Sequence, residues 1–376
     1  MRIGFDLRPF LRQETGVGVY FRNLLRELAA LDRDNEYFLF SSSWKDRFPS
    51  AKLPAFAKMR FRDVRLPVRV LNFLWYRLGR PRLDLFFRAR LDLTHSPVPL
   101  FLPTGGKKVV TVCDLFFLEH PELADKEARR TFVRSVGRAV KRADAVITIS
   151  EYSRSVILER LSADKDKVRA IPLGLDPVFF EEPPAEDLAA TRRSLDLPER
   201  FLLFVGAFEP RKNLTGLVEA LRIIHGRSEK IPLVIAGRRG GDYDNVLDRV
   251  RRAGLKEKIR AIGYVPEAEL RRLYRLAAVF VFPSLAEGFG LPILEAMASG
   301  LPVAASRTSA IPEVGGEAAL YFDPSQPEDM AAAVIKLLDD EGLRRKLVEE
   351  GKVRARSFSW MATARRTLDL YRSLSR

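Results

Sequence analysis

Within "LAEGFGLPILEAMASGLPV", residues 285–303, two carboxylates stand eight positions apart, Glu287 among glycines and Glu295 in the apolar run that follows. The stretch reads as a loop entering a helix. Pro292 suits a first helical turn, where its missing N–H costs little, and Gly300 suits the exit. Glu295 is then expected in or near the first turn, with the amides of Phe289, Gly290, Leu291 and Ile293 facing outward at the positive end of the helix. Such amides suit a phosphate or oxygen-rich group. Carboxylates beside them suit neutral diols, since each accepts two hydroxyl hydrogen bonds. On spacing alone, the same pair also reads as a loop acid followed by a helix-terminal acid.

Two further groups of residues change that balance. "FVGAFEPRKNLTGLVEAL" sets Arg211 and Lys212 just ahead of a helix, where cations oppose the dipole. A bound diphosphate reverses that penalty, because arginine grips phosphate bidentately and lysine adds a point charge. "ETGVGVYFRNLLREL" follows the first strand and opens a helix, with Gly16 and Gly18 letting the backbone approach a ligand. It lacks a full G-x-G-x-x-G pattern, so a dinucleotide fingerprint is not supported.

The elements that must hold these residues are strands and helices in alternation. Apolar runs recur in the first half ("MRIGFDL", "EYFLF", "LDLTHS", "KKVVTVCDL", "DAVITIS", "VRAIPLG") and in the second ("RFLLFVGA", "IPLVIAG", "IRAIGYV", "VFVFPS", "LPVAAS", "ALYFD"). Continuous rather than alternating apolar runs suit strands covered on both faces, and helical segments between them predict parallel sheets built from βαβ units, twice over. A length of 376 residues exceeds what one core usually supports. The Pro- and acid-rich stretch 175–200 is the expected connection, and two doubly wound domains are expected to hold a ligand in a cleft between them, at the carboxyl ends of their strands. The terminal run "SFSWMATARRTLDLYRSLSR" predicts an amphipathic helix with Trp360, Leu368, Tyr371 and Leu374 along one side.

Composition narrows the partners. Hydrophobic residues at 47% and charged residues at 30% describe a soluble globular chain. The balance of 64 Lys and Arg against 49 Asp and Glu, +15, favours anionic partners: nucleic acid, acidic membrane or phosphorylated small molecules. Zinc-finger spacings, RNP-like motifs and long basic tails are absent, so nucleic acid is not the expected partner. The single cysteine, Cys113, permits no internal disulfide, and neither a signal-like h-region nor a membrane-length apolar window is evident, so a cytoplasmic protein is expected.

With "PSLAEGFGLPILEAMASGLPV", "GAFEPRKN" and "IGYVPEAELRRLYRLA" in one chain, the sequence resembles the GT-B-fold retaining glycosyltransferases of family 4, a family with many bacterial mannosyltransferases. The resemblance implies an α/β fold of two Rossmann-like domains. Residues 1–178 would bind the acceptor and 179–357 the nucleotide sugar, with 358–376 forming a helix that packs back on the first domain. It further implies that Glu287 holds donor-sugar hydroxyls, Phe289, Gly290 and Leu291 present amides to sugar or phosphate, and Glu295 holds the ribose diol. By the same resemblance Arg211 and Lys212 neutralise the diphosphate, Gly16 and Gly18 bring the first loop against it, and Tyr264 and Val265 pass along the base. Gly237 and Arg238, ending a strand, and Asp114 are further donor contacts, and His95 in "LTHSP" is either a contact for sugar or acceptor or a residue that caps a strand end. Relatives commonly carry His-Asp where this chain has Cys113-Asp114, and a thiol does not replace an imidazole as a donor or base at neutral pH. No metal and no cofactor beyond the nucleotide-diphosphate sugar is implied. Subgroup likeness points to mannose from GDP-mannose and to a saccharide or lipid-linked acceptor. A GT-B-fold epimerase or phosphorylase is the alternative within the fold, and a basic nucleic-acid-binding protein the alternative outside it.

Residues 58–90 hold ten Lys or Arg against two Asp, interleaved with Phe, Leu, Trp and Tyr. The segment reads either as a solvated helix with an inward apolar face or as a contact with an anionic bilayer. The resemblance favours the second, with peripheral attachment to the inner leaflet.

Overall fold

The computed structural model describes residues 1–10, 16–99, 102–123, 126–227 and 230–375. The chain divides into two compact units, Met1–Gly174 with Ser359–Arg376, and Leu175–Phe358. Each is an α/β unit around one parallel sheet.

The strands of the first unit are β1 (Arg2–Asp6), β2 (Glu36–Ser42), β3 (Met59–Val64), β4 (Leu93–Ser96), β5 (Lys107–Val112), β6 (Ala145–Thr148) and β7 (Val168–Ala170). They lie in the order β3-β2-β1-β4-β5-β6-β7, all parallel, with Ile3 opposite both Tyr37 and Leu93. The second unit holds β8 (Leu202–Val205), β9 (Leu233–Ala236), β10 (Ile259–Gly263), β11 (Val279–Phe282), β12 (Val303–Ser306) and β13 (Leu320–Phe322) in the order β10-β9-β8-β11-β12-β13, again parallel. Chain order reverses beside β1 in the first sheet and beside β8 in the second. At such a reversal the neighbouring connections leave toward opposite faces, which opens a crevice beyond the carboxyl ends of the strands.

Burial explains the strands. Phe204 of β8 and Val279, Phe280, Val281 and Phe282 of β11 are wholly buried, because helices cover both faces of the sheet. Each large side chain so buried contributes about 1.5–3 kcal/mol. Leu217, Leu221, Leu337 and Met330 from the flanking helices complete one core with Phe204, Val279 and Val281.

One placement differs from the sequence expectations. Met59–Val64, the start of the basic segment, is the edge strand β3, and its alternating Arg60, Arg62 and Asp63 hid a strand exposed on one margin. The helix Val68–Arg77 follows it and buries Leu71 and Trp75. The helix Trp360–Leu374 buries Trp360, Leu368 and Tyr371 and packs on the helix Gly16–Leu31 of the same unit.

Candidate active site

The chain-order reversal in the second unit lies between β8 and β11, and the loops leaving these two strands carry the charged residues. After β8 the chain makes a short 3-10 turn, Pro210–Lys212, closed by Asn213 in a left-handed conformation (φ 52°). The Asn213 side chain ties this turn down, donating to the Pro324 carbonyl at 2.8 Å and accepting from the Gly216 amide at 3.3 Å. After β11 the loop 283–290 leads to the helix Leu291–Ala298, and the Leu285 amide donates to the Arg211 carbonyl at 2.7 Å, lacing the two loops together.

Arg211, Lys212 and Glu287 therefore meet. The Lys212 Nζ donates to Glu287 Oε1 at 2.5 Å, and Arg211 Nη1 donates to Glu287 Oε2 at 2.8 Å. Arg211 Nη1 also reaches the Ala286 carbonyl at 3.3 Å, and its Nε donates to Glu209 at 2.9 Å. Lys212 and Glu287 are each only 8% exposed, and the Lys212 ammonium lies 5.2 Å from the Phe282 ring centroid. Burial alone would raise the Glu287 pKa. The neighbouring Lys212 and Arg211 charges outweigh it and hold the carboxyl down at about 2. The sequence reading separated these groups, the acid for hydroxyls and the cations for phosphate. In the structure they are one ion-paired cluster, because the two loops that carry them are hydrogen-bonded together.

Glu295 is the fifth residue of the helix Leu291–Ala298, just past its first turn, near where the sequence suggested. It is half-buried and accepts a hydrogen bond from the Tyr274 hydroxyl at 2.8 Å. Burial pushes its carboxyl up to about 7, against the lowering effect of that bond, and the Glu267 charge adds to the rise. The helix has no side-chain cap at its start, and Gly290 stands there at φ 118°, a backbone that a side chain would strain. The Ile293 amide, expected to face outward, donates instead to the Gly290 carbonyl at 3.0 Å. Phe289 is buried with its ring edge-on to Phe358. Leu291 opens the helix, where a first-turn amide has no intrahelical acceptor.

Gly237, Arg238, Tyr264 and Val265 lie at the carboxyl ends of the neighbouring strands β9 and β10. The Gly237 amide donates to the Gly263 carbonyl at 2.7 Å. A Cβ on Gly237 would come 1.8 Å from the Gly206 carbonyl oxygen, so glycine is required for these strand ends to approach. The Arg238 guanidinium lies 4.6 Å from the centroid of the Tyr264 ring, which is 60% exposed, while Val265 is buried.

The remaining expected residues belong to the first unit. Gly16 is the first residue of its helix and is exposed, and Gly18 is buried two residues further in, where it serves helix packing as well as any approach. The residues just before Gly16 lie outside the described residues. Asp114 follows β5, and its Oδ1 accepts the Phe116 amide at 2.8 Å. The Cys113 thiol is pushed up to about 12, by burial first and then by the Asp114 charge, so it stays protonated.

His95 corrects its expected role as a sugar or acceptor contact. It is fully buried, with Nδ1 2.5 Å from the Tyr371 hydroxyl and Nε2 2.7 Å from Thr111 Oγ1. Burial lowers its pKa to about 3. Both nitrogens are committed to the core of the first unit, which leaves none for a ligand.

Sequence reasoning missed three supports of the site. Ser309 Oγ accepts the Glu287 amide at 2.9 Å, Tyr274 bonds Glu295, and Glu209 holds Arg211. Only Glu209, two residues from Arg211, carried a signal in its spacing. Among the described residues, no group of three or more His, Cys, Asp or Glu is placed to hold a metal ion.

Comparison with known proteins follows the same division. A family described as "Glycosyl transferases group 1" matches residues 189–354, and one described as "Glycosyltransferase Family 4" matches residues 15–179. The O-antigen chain mannosyltransferase B of Escherichia coli is 31% identical over 386 residues, covering 100% of both chains. Sucrose-phosphate synthase from Thermosynechococcus elongatus superposes with a TM-score of 0.75 at 24% identity, over 99% of this chain and 98% of that one. Anabaena HepE, solved in complex with UDP-glucose, superposes with a TM-score of 0.76 at 17% identity, over 99% and 100%. These structural likenesses show the GT-B fold.

Proposed function

The chain belongs to glycosyltransferase family 4, and on that premise we propose that it moves mannose from GDP-mannose, with retention at the anomeric carbon, to a saccharide carried on a lipid. The observation that carries this reading is the Arg211–Lys212–Glu287 cluster at the chain-order reversal of the second sheet. In the structure Glu287 balances two cations. With the donor bound, the diphosphate takes over as their counter-charge, and Glu287 accepts hydroxyls of the sugar. Glu295 accepts the ribose hydroxyls, the uncapped start of Leu291–Ala298 faces the phosphates, and the exposed Tyr264 ring borders the base.

In the transfer step the bond from the anomeric carbon to the diphosphate oxygen breaks, and its electron pair leaves with the diphosphate. The acceptor hydroxyl oxygen bonds to the same face of that carbon and gives its proton to the departing phosphate oxygen. Arg211 and Lys212 stabilise the charge that gathers on the leaving group, taking the place of a metal ion. Lys212 is buried and Arg211 is anchored on Glu209 and the Ala286 carbonyl, so both stand in place before the charge develops.

Transfer from labelled GDP-mannose to a mannose-terminated, lipid-linked acceptor tests the reading. Lys212→Ala is expected to lower kcat by on the order of 100-fold or more. Near-normal turnover in that variant rejects the leaving-group role, and transfer from UDP-glucose in preference to GDP-mannose rejects the donor. Conversion of the donor with no acceptor present would favour the epimerase reading.

Peripheral attachment to an anionic membrane completes the proposal. Among the described residues no helix is long and apolar enough to cross a membrane. The helices Val68–Arg77 and Leu83–Phe87 turn Leu71, Trp75, Leu83 and Phe87 inward, yet Val70, Phe73, Leu78 and Leu85 are exposed beside Arg77, Arg80, Arg82 and Arg88. An exposed apolar row among arginines suits the boundary between headgroups and acyl chains.

A further inference from the structure

Trp44 is 66% exposed, an unusual place for the largest apolar side chain, and the local structure holds it there. β2 ends at Ser42. The Ser43 amide donates to the Val64 carbonyl at 3.2 Å, and the Ser43 hydroxyl accepts the Asp46 amide at 3.0 Å, so residues 43–46 form a tight turn with the indole at its tip. The turn lines a cavity of about 720 Å³ within the first unit, shared with Arg8, Lys45, Asp46 and Arg69.

Arg8 is a fixed wall of that cavity. It is buried and forks onto Asp6 with contacts of 2.7–3.1 Å. It also donates to Asn72 Oδ1 at 2.9 Å and lies 4.3 Å from the Trp75 ring centroid. The cavity opens at the carboxyl ends of β1 and β2, the edge of a parallel sheet at which ligands bind. An aromatic face bordered by a carboxylate, an ammonium and guanidinium groups matches one ligand chemistry well. A pyranose offers an apolar C–H face to the ring and a rim of hydroxyls to the polar groups.

We propose that Trp44 is the stacking platform of a saccharide subsite in the first unit, with Asp46, Lys45 and Arg69 at its rim, and that the subsite holds a sugar residue of the acceptor. The assignment to the acceptor rests on the transferase reading, whereas the assignment of a sugar-binding surface does not. Asp46 accepts hydroxyl hydrogens, Lys45 and Arg69 donate to hydroxyl or ring oxygens, and the indole fixes the plane of the ring.

The chain contains three tryptophans, and the other two, Trp75 and Trp360, are 0% and 3% exposed. Indole emission therefore reports on Trp44 without any turnover. Titration of the full chain with an α-linked mannotriose is expected to give a saturable change in emission that Trp44→Phe removes, and GDP is expected to leave it unchanged. In transfer assays Trp44→Ala should raise the acceptor KM about tenfold with kcat nearly unchanged, and Trp44→Phe should recover part of that loss. An unaltered melting temperature in both variants excludes unfolding as the cause.

Unchanged emission with mannotriose, together with a normal acceptor KM in Trp44→Ala, overturns the proposal and leaves the transferase reading intact. A change of emission with GDP overturns it in favour of a nucleotide surface. Saturable mannotriose binding in a chain that transfers no mannose upholds the sugar-binding surface and sinks the mannosyl-transfer reading instead.

Discussion

Glu287 and Glu295 share a loop and a helix but have opposite electrostatics. The folded pKa of Glu287 is depressed to about 2 because two cations outweigh its burial, so its contribution to stability is present above the ordinary carboxylate range and is lost only as pH falls through about 2. Glu295 is raised from 4.5 to about 7 by burial, so the folded protein favours its neutral form. The stability that protonation contributes is fully present below 4.5 and is lost as pH rises through about 7. Ribose binding asks for the other form, since an ionised carboxylate accepts from both hydroxyls. GDP binding by calorimetry is therefore expected to tighten severalfold between about pH 6 and about pH 8, and Glu295→Gln to flatten that profile. A wild-type affinity that does not change over this range would sink the assignment. That Arg211, Lys212 and Glu287 border one site was legible in the sequence, because each follows a strand of the same sheet and strand ends converge, but their direct ion pairing was not. His95 was not legible, because its partner Tyr371 lies 276 residues away and no local pattern announces it.

At the scale of elements, twelve of the strands were visible as apolar runs, since a strand covered on both faces has no polar side to interrupt it. The exception, β3, has no fully buried residue, and its alternating charges read as surface. Close approach of strand ends was only half visible: Gly237 stood out by its position, but what it touches did not. Placing a methyl group against the Gly206 carbonyl must part the ends of β8 and β9 or unsettle the turn after β8. Gly237→Ala is expected to destabilise the second unit by about 1–3 kcal/mol and to weaken nucleotide binding with it. Thermal unfolding monitored with and without GDP checks both effects, and a variant with wild-type melting and binding would show that the backbone yields freely there.

The whole molecule carries a surplus of fifteen positive charges, +15, and part of it gathers around the exposed Val70, Phe73, Leu78 and Leu85. Flotation with liposomes is expected to show binding that rises with anionic lipid and falls with salt, and Phe73→Asp should weaken it severalfold. Equal recovery with neutral and anionic vesicles would remove the membrane from the proposal. Composition revealed the charge, but only the fold showed which apolar side chains keep it company.

The bond between His95 and Tyr371 also has a bearing on the order of synthesis. A ribosome making this chain delivers β1 to β7 first, yet the imidazole buried in their midst waits for a phenol made only after the whole second unit. Until then the nascent first unit carries an open slot where Trp360, Leu368 and Tyr371 belong. The first unit is thus finished only after the second has been made.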